Sequence, residues 1–419
     1  MYMPTVEIHC LRNYPATNLN RDDSGAPKTC LFSGVQRGRI SSQCLKRAIR
    51  NSPVFQHEVG LQNIGVRTRR LPEIIANRLM NDGISEDFAN AVKLIITKLG
   101  TKETKEEKEA KKEEAESKET KPAKIAKAPA KTSKKKKEDD KENITNQIVL
   151  YSKEDIEAVY EKCLEAVKSC KSAAEFSKKY SRIENLMKDC KPRPVSVDIA
   201  LFGRMVTSDA FANIEGSMPF AHAFSVNKVT QESDFFTAMD DMMHMASDNG
   251  SAMMDDIDFN SSCYYHYLQL DLNVLLQNLS LSEDPVDLVK TVVPAFLKAY
   301  TFTNPTGKQH SFAGYTLPSA LMIEIKEYPV PVSYANAFSK PISATHEHDL
   351  VTNATKKLVE FTKEADKKFG IPIVKRFWFT AGTDEPVLME KSDNVETVNC
   401  ETFNEIINGV NDYLNEIYK

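Results

Sequence analysis

The sequence contains no run of about 18 apolar residues, which excludes a helical membrane span. Its first residues, MYMPTVEIHC, hold neither a basic n-region nor an apolar h-region, so no secretory signal is expected. No C-x-x-C pair occurs among the cysteines Cys10, Cys30, Cys44, Cys163, Cys170, Cys190, Cys263 and Cys400. That scatter fits reduced thiols in a cytoplasm better than a disulfide framework or a zinc site. Nucleotide and hydrolase signatures are missing too: there is no GxGxxG, HExxH or GxSxG. Gly307-Lys308 is not a phosphate loop, because Phe302 stands where its first glycine belongs. An RNP1-type aromatic box is absent, which argues against an ordinary base-stacking RNA-recognition sheet. Nor is one sign of charge in excess: 55 Lys plus Arg against 59 Asp plus Glu gives -4. Composition alone therefore does not mark a nucleic-acid binder, and the case must rest on where charges sit. No metal site and no cofactor are expected; His346-Glu347-His348-Asp349 reads as an exposed polar loop.

What is present is uneven. A chain of 419 residues, 41% hydrophobic, can hold two or three domains. Residues 101–142 hold 15 Lys and 12 Asp or Glu, with no aromatic residue and one Ile. Such a stretch buries too little apolar area to offset its ordering entropy, so 101–146 is expected to be disordered. LysLysLysLys at 134–137 is its best nucleic-acid tether, although a solvated spacer is the plainer reading.

Around this stretch the periodicity is helical. Ser85 caps a run with Phe88, Val92, Leu94, Ile95 and Leu99, and Ile156, Val159, Tyr160, Cys163 and Val167 form a second stripe. Roughly 60–216 thus reads as all-helical. The flanks alternate: Val6, Ile8 and Cys10 against Glu7 and His9 predict a half-buried strand, as do Leu268, Leu270 and Leu272, and Leu321, Ile323 and Ile325. Helices are expected from Asp284-Pro285, with Pro294 as a kink, from Leu350 to the Gly370/Pro372 stop, and from Phe403 to Tyr418. A short strand is expected near Ile373–Phe379. The pattern is α+β, a ferredoxin-like sheet domain interrupted by a helical block.

Between the first strand and the next helix, Arg12 to Gly38 reads as a long loop carrying Arg12, Arg21, Lys28, Arg37 and, just beyond it, Arg39. A connection of that length is usually functional or disordered. In the following helix, SSQCLKRAIRNS (41–52), Gln43, Lys46, Arg47 and Arg50 fall within about a 100° arc, opposite Leu45, Ala48 and Ile49. Ser41 or Ser42 can cap it. Such a cationic ridge is self-repelling unless an anion crosses it, and a phosphate backbone is the natural one. Arg67, Arg69 and Arg70 form a second basic cluster.

Residues 239–258, MDDMMHMASDNGSAMMDDID, bring Met242, Met243, Met245, Met253 and Met254 together with Asp240, Asp241, Asp255, Asp256 and Asp258. Beside Phe235 and Phe236, the methionines suit an adaptable apolar wedge between bases. The carboxylates raise a rival reading, a Mg²⁺-dependent nuclease, though no ligand spacing is fixed.

The strings LNRDDSGAPK (19–28), RISSQCLKRAIR (39–50), VDIALFGRMVTSD (197–209), AHAFSVNKV (221–229), DFFTAMDD (234–241) and SYANAF (333–338) resemble the CasC family, the backbone of the type I-E CRISPR Cascade complex. The resemblance covers most of 5–70, 190–275 and 305–340. It implies a modified RRM-like palm at 1–58 and 217–419, helical fingers at 59–216 and a thumb hairpin at 229–263. It also implies a non-catalytic cytoplasmic subunit that oligomerises along a CRISPR guide RNA and presents it to target DNA. Its partners would be further copies of itself and the large, small, guide-end-binding and guide-processing Cascade subunits. Carried over by position, Arg21, Lys28, Gln43, Lys46, Arg47 and Arg50 would grip the guide backbone. Arg67 and Arg70 would add contacts, Met205 would pack near a kink, and Phe236 and Met254 would wedge beside a displaced base pair. If related nucleases are the better guide, Asp240, Asp241 and Asp255 are the catalytic candidates.

Overall fold

The computed structural model describes residues 4–100, 144–238, 253–390 and 395–419. The disorder expected at 101–146 falls, from 101 to 143, outside the described residues, as do Asp240, Asp241 and most of the methionine-aspartate segment. The chain opens with β1 (Thr5–Thr17), β2 (Thr29–Phe32), β3 (Val35–Ile40), α1 (Ser42–Arg50), α2 (Pro53–Val59), β4 (Val66–Thr68), α3 (Leu71–Asn81) and α4 (Glu86–Thr97). It continues through β5 (Val149–Tyr151), α5 (Lys153–Lys168), α6 (Ala173–Lys179), α7 (Ile183–Met187), α8 (Val197–Phe202), β6 (Ala223–Ser225), β7 (Glu232–Ala238) and β8 (Met253–Asp271). The last part holds α9 (Leu272–Asn278), α10 (Pro285–Phe302), α11 (Gln309–Phe312), β9 (Ala320–Lys326), α12 (Leu350–Phe369), β10 (Ile373–Thr380), β11 (Glu396–Asn399) and α13 (Phe403–Ile417). The α+β expectation holds.

Two compact units result: one of Met1–Asn63, Ala200–Phe202 and Gly216–Lys419, the other of Ile64–Ile199 and Gly203–Glu215. In the first, the sheet runs β11-β10-β9-β1-β8-β6-β3-β2, with β7 pairing β8 off this path. All of these pairs are antiparallel except β10–β11. The alternation read as half-buried strands is corrected here. Thr5 to Arg12 are all buried, as are Gln269, Glu324 and Lys326, and Leu272 opens α9 instead of ending a strand. The physical reason is that both sheet faces are covered. On one face His266 of β8 bonds Tyr300 of α10, and α13 lies against β10. That last approach requires Gly409, where a Cβ would stand 2.3 Å from the Phe377 ring. On the other face α12 and the turn Tyr334–Phe338 pack with Leu11, Tyr265, Met322 and Trp378.

The Arg12–Gly38 loop is corrected as well. Strand β1 runs on to Thr17, and β2 and β3 form a hairpin turning through Ser33 and Gly34, both at positive φ. Only 18–28 remains a loop. Helix α10 starts with the Asp284 side chain accepting from Asp287 N and with Pro285 in its first turn, and it continues through Pro294. Its last carbonyls are satisfied by Arg12, which donates to the oxygens of Tyr300, Thr301 and Thr303. Arg12 is thus a buried structural cation. So is Arg37, whose guanidinium donates to the carbonyls of Ser225, Val226 and Phe338.

The second unit is not all-helical: β4 and β5 form a two-stranded ladder with Arg67 opposite Leu150. Helices α3 to α7 pack around Leu71, Ile75, Val92, Ile96, Val159, Cys163 and Phe176. Ser152 and Asp155 form a reciprocal capping box that starts α5.

Candidate nucleic-acid interface

Helix α1 begins at Ser41, whose side chain accepts from Cys44 N at 3.3 Å. Its last turn holds Arg47 and Arg50, where the helix dipole favours cations. Ala48 and Ile49 are buried and Gln43 and Arg47 exposed, as the arc predicts. Lys46 departs from that picture. It is half-buried, its Nζ sits 5.6 Å from the ring centroids of both Phe202 and Phe220, and burial lowers its pKa. The two rings replace lost solvation with cation–π attraction. The ridge is therefore Gln43, Arg47 and Arg50, with Lys46 set between aromatic faces.

The 18–28 loop adds Arg21 and Lys28 to this surface. Asp22 Oδ1 accepts from Ser24 N, Ser24 Oγ and Ala26 N, which closes the loop on itself. Asn18 Nδ2 donates to Gly25 O and Asp258 O, and Lys28 N to Asn20 O. The Asn20 side chain then accepts from Ser41 N at 2.9 Å, tying the loop to the start of α1. Lys28 and Arg47 both act electrostatically on the Cys44 thiol, so they share this neighbourhood. Arg21 is exposed and Lys28 half-buried.

Arg67, Arg70 and Met205 belong to the other unit and form a group of their own. Arg67 is exposed on β4; Arg70 is 74% exposed and only loosely paired with Glu73, at 3.8 Å. Arg204 donates to Leu150 O, the residue opposite Arg67, and so sets the next residue, Met205, near the same ladder. Met205 is 80% exposed, an unusual cost for a large apolar side chain without a partner to bury it.

The β7–β8 ribbon is the third element. Strand β8 pairs with β1 only from Asn260 onward, so Met253–Phe259 pair with β7 alone, a reach of about 24 Å at ~3.4 Å per residue. Phe236 lies opposite Asp255, and Thr237 opposite Met254. Directly opposed residues share a face, so Phe236 and Met254 point to opposite faces of the ribbon. The residue sharing Met254's face is Phe235. It is 65% exposed and Met254 64%, whereas Phe236 is half-buried. Only the register across the ribbon places Phe235 there, since counting along DFFTA separates Phe235 from Phe236 without saying which one shares a face with Met254.

The sequence profile now decides the family: a family model for CT1975-like proteins matches residues 6–408. The chain belongs to the CT1975-like family. No curated protein matches it. Among solved structures, this CT1975-like chain is similar to a chain of a CRISPR RNA-guided surveillance complex, pre-nicking. Identity is 26% and the TM-score 0.73, over 98% of this chain and 100% of that one. A chain of a second CRISPR RNA-guided surveillance complex shares the fold at 22% identity and TM-score 0.63, covering 98% and 99%.

Among the described residues, the one group of side chains within metal-ligating reach of each other is Glu7, His9 and Glu324, all buried. Their partners make it a charge network. Glu7 accepts from Lys326 Nζ at 2.7 Å, and Glu324 from Arg376 Nε at 2.8 Å, while Arg376 also pairs with Asp366. His9 Nε2 stands 3.7 Å from both Glu7 and Glu324. Burial works against charging His9, but the Glu324 and Glu7 carboxylates outweigh it and raise its pKa. Burial likewise opposes ionisation of Glu324, but Arg376, His9 and Lys326 prevail and hold it at about 2. With His9 protonated, three cations balance the carboxylates of Glu7, Glu324 and Asp366. The His346–Asp349 string is not a ligand set either: His348 faces Asp384, Glu385 and Lys356. Of the proposed nuclease residues, only Asp255 is described; it is exposed and accepts from Asp256 N.

Proposed function

We propose that this chain is a non-catalytic guide-RNA-binding backbone subunit of a CRISPR surveillance complex, of the type I-E Cascade kind. The observation that carries the reading is the surface made by Arg21, Lys28, Gln43, Arg47 and Arg50, built on a tied-down loop and one capped helix. It offers charge without base-specific geometry, which is what sequence-independent capture of a sugar-phosphate backbone requires. In this reading the first unit is the palm and the second the fingers, and the β7–β8 ribbon is the thumb. Arg67, Arg70 and Met205 are the fingers' own contacts with nucleic acid. Met254 and Phe235 on one face of the thumb, and Phe236 on the other, segment the guide–target duplex by unstacking. Base pairing then reads the target DNA while the protein reads shape, as in other RNA-guided systems. Several copies line one guide in the cytoplasm beside the other Cascade subunits.

Purifying the chain from cells that supply a CRISPR transcript tests this. Co-eluting RNA of defined length, in a particle far larger than 47.2 kDa, is the expected result. A monomer without RNA, even when the neighbouring subunits are co-expressed, would overturn it.

A further inference from the structure

Beside Lys28, and outside the residues assigned so far, two side chains meet in a way the sheet alone does not require. Arg39 of β3 is fixed by its backbone, paired with Phe224, and by its Nε donating to Thr29 O at 3.3 Å. Its Nη1 lies 3.0 Å from Nδ1 of the exposed His222. A guanidinium has only donors, so Nδ1 must accept, and His222 is held neutral with its proton on Nε2. Among the described residues no acceptor faces Arg39 Nη2.

The charged and titratable groups acting on His222 are few. They are Arg39 on β3, Lys28 at the end of the 18–28 loop, and His266 on β8, which burial keeps neutral with a pKa of about 3. Partial burial first, then the two cations, lower the His222 pKa, and among the described residues no carboxylate opposes them. An anion at this spot would oppose both electrostatic contributions. It would engage the guanidinium, neutralise Lys28 and place negative charge beside the imidazole.

We propose that Arg39 and His222 form a phosphate-binding pair that extends the Lys28 surface, and that His222 takes up one proton from solvent when an RNA phosphate occupies it. On protonation Nδ1 becomes a donor, the Arg39–His222 hydrogen bond is released, and both side chains turn their donors to the phosphate. The pair deepens the guide-binding reading and rests on it. Because the complex holds one more proton than its separate parts, affinity strengthens as pH falls.

The test is fluorescence anisotropy of the purified full chain with a labelled 5′-hydroxyl oligouridylate, whose groups do not titrate in this range, from about pH 8 to about pH 6 at fixed ionic strength. The wild type is expected to tighten by up to about tenfold per pH unit at the steepest point, the limit for one proton. His222→Gln, which can still accept from Arg39, is expected to flatten that dependence. Arg39→Gln is expected to weaken binding and to lower the salt slope by about 0.7. A wild type that binds RNA with the same pH slope as His222→Gln overturns the pair and leaves the guide-binding reading standing. A wild type that binds no RNA at any pH overturns the pair, and the guide-binding reading falls with it when co-expression with the neighbouring subunits also yields no RNA.

Discussion

If Lys28 and Arg47 hold phosphates, replacing both with glutamine should change the salt dependence of RNA binding by a calculable amount. Both flank Cys44 on one surface, and neither carries a buried structural load of the Arg12 or Arg37 kind. Each phosphate neutralised on a single strand contributes about -0.7 to the slope of log K against log salt. The double variant should therefore lose about 1.4 from the wild-type slope. Across a fourfold rise in salt, from about 50 to about 200 mM, the wild type should lose roughly sevenfold more affinity than the variant does. Anisotropy titrations with two unrelated RNA sequences measure this directly. Lys375→Gln serves as the control, since Lys375 already pairs with Glu396 on β10–β11 at the far side of the sheet. An unchanged slope in the double variant, or a loss confined to one RNA sequence, would refute the phosphate assignment.

Arg376→Met should destabilise the first unit by about 3–5 kcal/mol, because it strands Glu324 and Asp366 as buried carboxylates; denaturant unfolding measures it, and a loss below about 1 kcal/mol would sink the network reading. The same network sets a pH window. Glu324, depressed to about 2, contributes roughly 3 kcal/mol above its unfolded value that is lost as pH falls from about 5 toward 2. His9, raised, contributes stability that is complete below its unfolded value near 6.5 and is lost as pH rises through its folded one. Unfolding midpoints followed against pH should thus decline on both sides, and His9→Gln should remove the alkaline decline. Phe235→Ala with Met254→Ala should leave the fold intact by circular dichroism and impair target-duplex binding while sparing guide affinity, whereas equal loss of both would contradict a wedge role. Finally, Asp255→Ala should leave bound RNA as intact as the wild type in Mg²⁺, as gel electrophoresis would report; Mg²⁺-dependent cleavage lost in the variant would restore the nuclease reading.

Much of the site was legible because it depends on local chemistry. Helical spacing put Gln43, Arg47 and Arg50 on one side of α1, and Ser41 caps the helix as its residue type suggests. Lys46 shares their arc but not their environment, since Phe202 and Phe220 reach it from distant parts of the chain. Arg12 and Arg37 had the same composition as a phosphate-binding loop. Only strand pairing and helix docking showed that they satisfy buried carbonyls.

The sequence by itself determined the α+β class, the capped basic helix, the helix starts at Asp284-Pro285 and Leu350 and the stop at Gly370, because caps, turns and 3.6-residue periodicity act over a few residues. It also carried the family signature from residue 6 to 408. Tertiary structure decided which polar residues are interior. Glu7, His9, Glu324, Lys326 and Arg376 alternate along strands as solvent-facing residues would, yet helices cover that face and turn them into a closed charge network. It likewise decided that Phe235, not Phe236, shares a face with Met254, because strand register is set by pairing across the ribbon and not by either strand alone.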